Sequence, residues 1–238
     1  MLVHIVNQAN KSLYTKYLDD MFVMRREIFV DQLGWQDLKV IDGKELDEAD
    51  DVSEVEYLLT IDTNGTLIGS CRCNPTLRPH LLNGPLRKYA QREYEVGAHV
   101  WEFTRLAPTR FANFDKKLLA HAYMSSGIIE WALSKNISTL LGIAEDTTIA
   151  LSGRMGWKMR LLGMPIEYEP GKRAVAIEYE INRATLDSTR MFYGNVSPVT
   201  YMAPPPMDNQ TVTNGQIAFL DYAIPAGLAL ESNLQLVS

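Results

Sequence analysis

The dipeptide Asn64-Gly65 stands between two apolar runs, residues 54–63 and 66–74, and this is the strongest short signal for an antiparallel hairpin. Periodicity supplies the elements around it. Residues 2–7 and 99–106 read as strands. Between Lys11 and Gly34, the positions Leu13, Tyr17, Met21, Met24 and Ile28 recur at steps of three and four, which marks an amphipathic helix stopped by Gly34. Further helices are predicted at 118–133 and 147–156, a buried strand at 138–144, and strands at 158–162 and 174–181. Residues 77–97, rich in Pro, Gly and charge, are expected to form a loop with one short helix. The sequence therefore predicts an α+β fold, a mixed central sheet with helices on both faces. A short helix at 183–192 leads into Pro204-Pro-Pro206 and a polar tail. Residues 1–194 are expected to form one domain, and 195–238 an extension wrapped on it or partly disordered.

Charge and cysteine content narrow the function. The 238 residues carry a formal net charge of −6, which argues against coating nucleic acid or an anionic membrane. No run of 18 uninterrupted apolar residues occurs, and Met1–Val6 lacks the basic-then-apolar order of a secretory signal. Cys71 and Cys73 cannot make a disulfide framework, so a reducing, cytoplasmic location is expected. Two apart on a strand, they share one face. Arg72 then emerges on the other, where a mid-strand charge is costly unless it is paired or serves a ligand.

Asp47-Glu-Ala-Asp50 spells a helicase box, but no G-x-x-x-x-G-K-[ST] phosphate loop accompanies it. A solvated acidic loop, or a hard-cation site completed by Glu45, are the readings left open. His4, His80, His99 and His121 lie in unrelated contexts, and no Ser or Cys sits in a nucleophile-elbow frame, so a hydrolase triad has no support. Glu102 and Arg105 interrupt the apolar strand 99–106. Residues three apart point to opposite faces of a regular strand, so the two reach one cavity only if the strand bulges between them. A rim ion pair is the plainer alternative. Arg25 and Phe29 share a helix face, and Trp35 follows.

Taken in order, Arg25-x3-Phe29-x5-Trp35, Glu45-x-Asp47-x2-Asp50, Arg72 with Pro75-Thr76, and Glu102-x2-Arg105 resemble the LuxI-type acyl-homoserine-lactone synthases. Arg154-Met-Gly156-Trp157, Gly163-Met-Pro165 and Gly171-Lys-Arg-Ala-Val-Ala176 look like the same family. The resemblance covers about residues 3–181. Cys73-Asn74 departs from it, because the family tends to have apolar residues after the arginine.

The resemblance implies a GNAT-like acyltransferase fold. It also implies synthesis of an N-acyl-homoserine lactone, a quorum-sensing signal, from S-adenosylmethionine and an acyl-carrier-protein thioester, or acyl-coenzyme A in some relatives. The amine attacks the thioester, the carboxylate then closes on the γ-carbon, and methylthioadenosine leaves; neither step requires a metal or redox cofactor. On this reading Glu102, and after it Asp50, accept the amine proton. Arg25, Phe29, Trp35, Asp47, Arg72 and Arg105 bind substrate. Ala144 stands where members favouring 3-oxo acyl groups have threonine, in an acyl pocket expected to include Leu140, Leu141 and Ile143. Arg154, Lys158 and Arg160 would dock the acidic carrier protein. Another acyltransferase of the same fold, making N-acyl amino acids or using acyl-coenzyme A, and a non-catalytic ligand sensor are the alternatives.

Overall fold

The structure, a computed structural model, describes residues 1–35, 37–108 and 114–206, with backbone alone at 108 and 114–117. In chain order it runs β1 (Leu2–Val6), α1 (Thr15–Arg25), β2 (Val40–Ile41), β3 (Lys44–Glu45), β4 (Glu56–Ile61), β5 (Leu67–Pro75), β6 (Val100–Pro108), α2 (Phe114–Ser134), β7 (Thr139–Glu145), α3 (Asp146–Arg154), β8 (Met159–Leu161), β9 (Ile166–Glu169), β10 (Lys172–Glu180), α4 (Arg183–Tyr193) and β11 (Thr200–Tyr201). The main sheet has the order β11-β1-β4-β5-β6-β7-β10-β8, with β9 also paired to β10. β1 with β11 and β6 with β7 are parallel, and the other pairs antiparallel. Among the described residues, no helix is long and apolar enough to cross a membrane.

Alternation along β4 and β5 sorts the two faces. Leu58, Cys71 and Cys73 pack with Met124, Ile128 and Trp131 of α2 on one face. Tyr57, Leu59 and Ile61 pack with Met21 beneath α1 on the other. Every residue of β4 is buried, as a strand covered on both faces requires. The cysteines are free and buried in the α2-side core, and Arg72 points to the α1 side.

The hairpin at Asn64-Gly65 is longer than a two-residue turn. Asp62 N–H donates to Thr66 O at 2.9 Å, and Asp62 Oδ1 accepts from the Asn64 and Thr66 amides. Gly65 alone takes the left-handed backbone, at φ 75°, which glycine adopts without a Cβ clash.

Three irregularities build the site. First, α1 runs into a π-helical stretch at Arg26–Gln32, where Leu33 N–H reaches back five residues to Ile28 O. The wider turn lets the adjacent Ile28 and Phe29 both face inward. Second, β6 bulges. Arg72 opposes Thr104 and Ser70 opposes Ala107, so Cys71 faces both Arg105 and Leu106; Arg105 has φ 54°. Third, β6 and β7 pair only from Val100↔Thr139 to Glu102↔Leu141, after which β7 continues on β10.

Candidate active site

On the α1 face, three arginines and three carboxylates interlock. Arg25 donates through Nε to Glu45 at 2.6 Å and through both terminal nitrogens to Asp50 at 2.8 and 2.9 Å. Arg72 grips Asp47 with both terminal nitrogens, reaches Asp50 at 2.9 Å, and donates through Nε to Thr104 Oγ1. Arg105 bridges Glu45 and Asp47 at 2.9 and 2.8 Å. The bulge makes that last contact possible: in a regular strand Arg105 would face the α2 side. Arg25, Arg72 and Glu45 are fully buried, and three positive charges against three negative ones let a buried cluster persist.

The acidic motif is neither a solvated loop nor open to a cation, because its oxygens face guanidinium groups. Asp47 caps the short turn Glu48–Asp50, accepting from the Ala49 amide, while Asp50 accepts from the Asp47 amide. Asn74 Nδ2 ties the same turn to β5 through Ala49 O at 2.8 Å. Burial opposes the charge on Asp50, but hydrogen bonds from Arg25 and the adjacent Arg72 hold its carboxyl well below the usual range. It is therefore a poor proton acceptor at neutral pH. Burial likewise opposes the Arg25 charge, and the Asp50 and Glu45 carboxylates more than restore it.

Glu102 differs from Asp50. It is fully buried, and each oxygen accepts one backbone amide, from Leu81 at 2.9 Å and Leu82 at 2.7 Å. Burial pushes its pKa up, and the two amides, the nearby His80 and Arg72 only partly offset that. His80 itself is anchored on the Arg78 carbonyl at 2.8 Å. Glu102 sits at the last paired position before β6 and β7 part, with its side chain on the face that carries Arg72.

The apolar wall assembles as well. Phe29 and Trp35 stack with centroids 5.3 Å apart and planes 9° from parallel, and the Arg105 guanidinium lies over the Phe29 ring. The edge of Tyr168 closes on Trp35 at 6.5 Å.

The remaining expected residues lie elsewhere. Ala144 is buried on the α2 side with Leu140, whereas Leu141 and Ile143 belong to a separate core on the opposite face. The four do not line one pocket, because β7 alternates. Arg154, Lys158 and Arg160 are exposed, but Lys158 lies 3.8 Å from Glu180 and Arg160 pairs with Glu178 at 2.6 Å. Sequence reasoning missed the Leu81 and Leu82 amides, Tyr57, whose hydroxyl donates to Asp50, and Tyr168. Backbone amides have no sequence signature. The alternating Ile-Glu-Tyr-Glu of β9 was the one available signal for Tyr168.

The geometry has counterparts. The profile of the autoinducer synthase family matches residues 9–187. The chain belongs to that family. An acyl-homoserine-lactone synthase of Rhizobium etli is 31% identical over 189 residues, covering 79% of this chain and 86% of its own. The isovaleryl-homoserine lactone synthase of Bradyrhizobium diazoefficiens is 27% identical over 188 residues, covering 78% and 83%. Among solved structures, the CoA-dependent acyl-homoserine lactone synthase BjaI, with SAM and isopentyl-CoA, superposes with a TM-score of 0.76 at 25% identity, covering 87% of this chain and 95% of BjaI. The synthase LasI gives 0.63 at 25% identity, covering 77% and 90%. The synthase described here is thus an acyltransferase of the GNAT-like α+β fold that its sequence predicts.

Proposed function

We infer that this synthase acylates the amino group of S-adenosylmethionine with an acyl thioester and then closes the lactone. In the first step the ammonium loses a proton to water, the nitrogen bonds to the thioester carbon as a second proton passes to a carboxylate, and the carrier takes up that proton and leaves as a thiol. In the second, a carboxylate oxygen bonds to the γ-carbon as its bond to sulfur breaks, and methylthioadenosine departs as a neutral thioether. The observation that carries this reading is the buried Glu102 with its raised pKa, at the point where β6 and β7 part. A carboxylate tuned upward is matched to taking a proton near neutral pH. The separation of the strands offers the entry a thioester needs, and the bulge at Arg105–Leu106 supports a role for backbone amides in binding the oxyanion.

Asp50 keeps its charge and serves position rather than proton transfer. Of the three acids only Asp47 keeps some exposure toward the sulfonium substrate, while Arg25, Arg72 and Arg105 hold the cluster together as one wall of the site. Phe29 and Trp35, with Tyr168 behind them, suit stacking on adenine. Ala144 offers no donor to a 3-oxo group, so unsubstituted acyl chains are the favoured donors.

Coenzyme A is the carrier best supported. The relative BjaI is CoA-dependent, and Glu178 and Glu180 offset the Lys158 and Arg160 charges that would dock an acidic carrier protein. The cluster Arg154, Lys158 and Arg160 favours the carrier protein as the second reading. Incubation with S-adenosylmethionine and acyl-coenzyme A or acyl-carrier protein bearing the same acyl groups separates the cases. The expected result is lactone and methylthioadenosine in equal amounts, faster from acyl-coenzyme A. Acyl-amino acid without methylthioadenosine would show a different acyltransferase, and no turnover with either donor a sensor.

A further inference from the structure

Asn74 is fully buried in β5, and its cross-strand partner in the register is Glu102. Directly opposed residues hold their Cβ atoms about 5 Å apart on one face of the sheet. The Asn74 amide has only one orientation. Its Nδ2 donates to Ala49 O at 2.8 Å, and turning the amide over would set two acceptor oxygens against each other. Oδ1 is therefore directed away from Ala49, and it has no hydrogen-bond partner among the described residues. A buried acceptor left unfilled is destabilising. Here it stands beside a second acceptor group, the Glu102 carboxylate. Asn74 Oδ1 lacks a donor, each Glu102 oxygen has a lone pair left beyond the one amide it accepts, and a primary ammonium brings three donors. The position is also where the sequence carries asparagine although the family tends to be apolar.

We propose that Asn74 Oδ1 is a second acceptor for the amino group of the substrate, holding the nucleophilic nitrogen against Glu102. This deepens the reading of the site given above and rests on it. One N–H of the ammonium donates to Glu102 and is the proton transferred; a second donates to Asn74 Oδ1. With both held, the third N–H points toward the thioester carbon; loss of its proton to water frees the lone pair in that direction, and the proton donated to Glu102 is transferred as the N–C bond forms. An apolar residue at 74 would leave the nitrogen free to rotate about its bond to Glu102.

Calorimetric binding of S-adenosylmethionine and of methylthioadenosine tests this without reference to turnover, because methylthioadenosine lacks the amino-acid portion. Asn74→Leu is expected to weaken S-adenosylmethionine by roughly tenfold or more, as loss of a hydrogen bond to a charged group does, and to leave methylthioadenosine within about twofold. Asn74→Asp removes the donor to Ala49 O but keeps an acceptor, and is expected to hold S-adenosylmethionine within a few-fold of wild type. Asn74→Thr, an acceptor without the carboxylate charge, reads the same contrast where N74D does not fold. Unchanged S-adenosylmethionine binding in N74L would overturn the proposal. So would an equal loss in N74L and N74D, which would mean that Asn74 only anchors the acidic turn, or a parallel loss of both ligands. Wild-type protein that binds methylthioadenosine but not S-adenosylmethionine also overturns it, whereas wild-type protein that binds neither overturns the assigned function and the proposal with it.

Discussion

Two carboxylates a few residues of sheet apart carry opposite electrostatics, and the difference lies in their partners. Asp50 meets two guanidiniums, whereas Glu102 meets two neutral amides in a dry setting, so one is held charged and the other drifts toward the proton. Removing the Asp50 charge strands Arg25 and Arg72 in a buried position, so Asp50→Asn should lower stability by about 3 kcal/mol at pH 7. The sign with pH is fixed. A carboxylate whose folded pKa is depressed stabilises the fold above its unfolded value of 3.8, and that stabilisation is lost as pH falls through the folded value. The gap between wild type and D50N in urea denaturation should therefore narrow as the pH drops below about 4. A gap that stays constant would mean that Asp50 is not held by its arginines.

At the scale of elements, one buried carboxylate fastens the end of the described chain to the sheet. Glu130 of α2 accepts from the Val199 and Thr200 amides and the Thr200 hydroxyl, and pairs with Arg190 of α4 at 2.9 Å. β11 lies beside β1 in consequence, with Val3 N–H donating to Val199 O. Glu130→Ala should lower stability by about 3 kcal/mol and speed hydrogen exchange at the Val199 and Thr200 amides well beyond that at the β4 amides. Equal exchange at β11 in both proteins would contradict this. Nothing in the sequence announced β11, because two residues carry no period. β2 and β3 escaped for the same reason, yet they bring Glu45 into the arginine cluster. The longer elements were legible because each has a clear period: α1 at 3.6, β4 and β5 around Asn64-Gly65, and the buried run of β7. The bulge in β6 was legible as a condition, since Glu102 and Arg105 could share a face in no other way. The turn at 81–83 that holds Glu102 was not, because its contribution is backbone.

For the molecule as a whole, the sheet's two faces divide the labour. The α2 face is packed with apolar side chains, among them Trp131, Trp157 and Tyr179, and the α1 face carries the charges. A buried histidine at the β1 edge makes the whole fold sensitive to acid. Burial and the chain's amino terminus lower the pKa of His4 from 6.5 to about 4, and its Nδ1 lies 2.9 Å from the Tyr14 hydroxyl. The unfolded chain takes up this proton first, so His4 supports folding above pH 6.5 and that support is lost as pH falls toward 4. In that window His4→Gln should flatten the pH dependence of unfolding free energy by up to about 1.4 kcal/mol per pH unit. Identical slopes would refute it. The role proposed for Glu102, acceptor of the amine proton, is tested by single-turnover acylation by Glu102→Gln with saturating S-adenosylmethionine and acyl donor. Gln keeps the volume and can still accept one of the two amides, so S-adenosylmethionine should bind within a few-fold of wild type while the rate of acyl transfer falls by about a hundredfold or more. A variant that keeps more than about a tenth of the wild-type rate, a loss under about 1.4 kcal/mol, would contradict the claim.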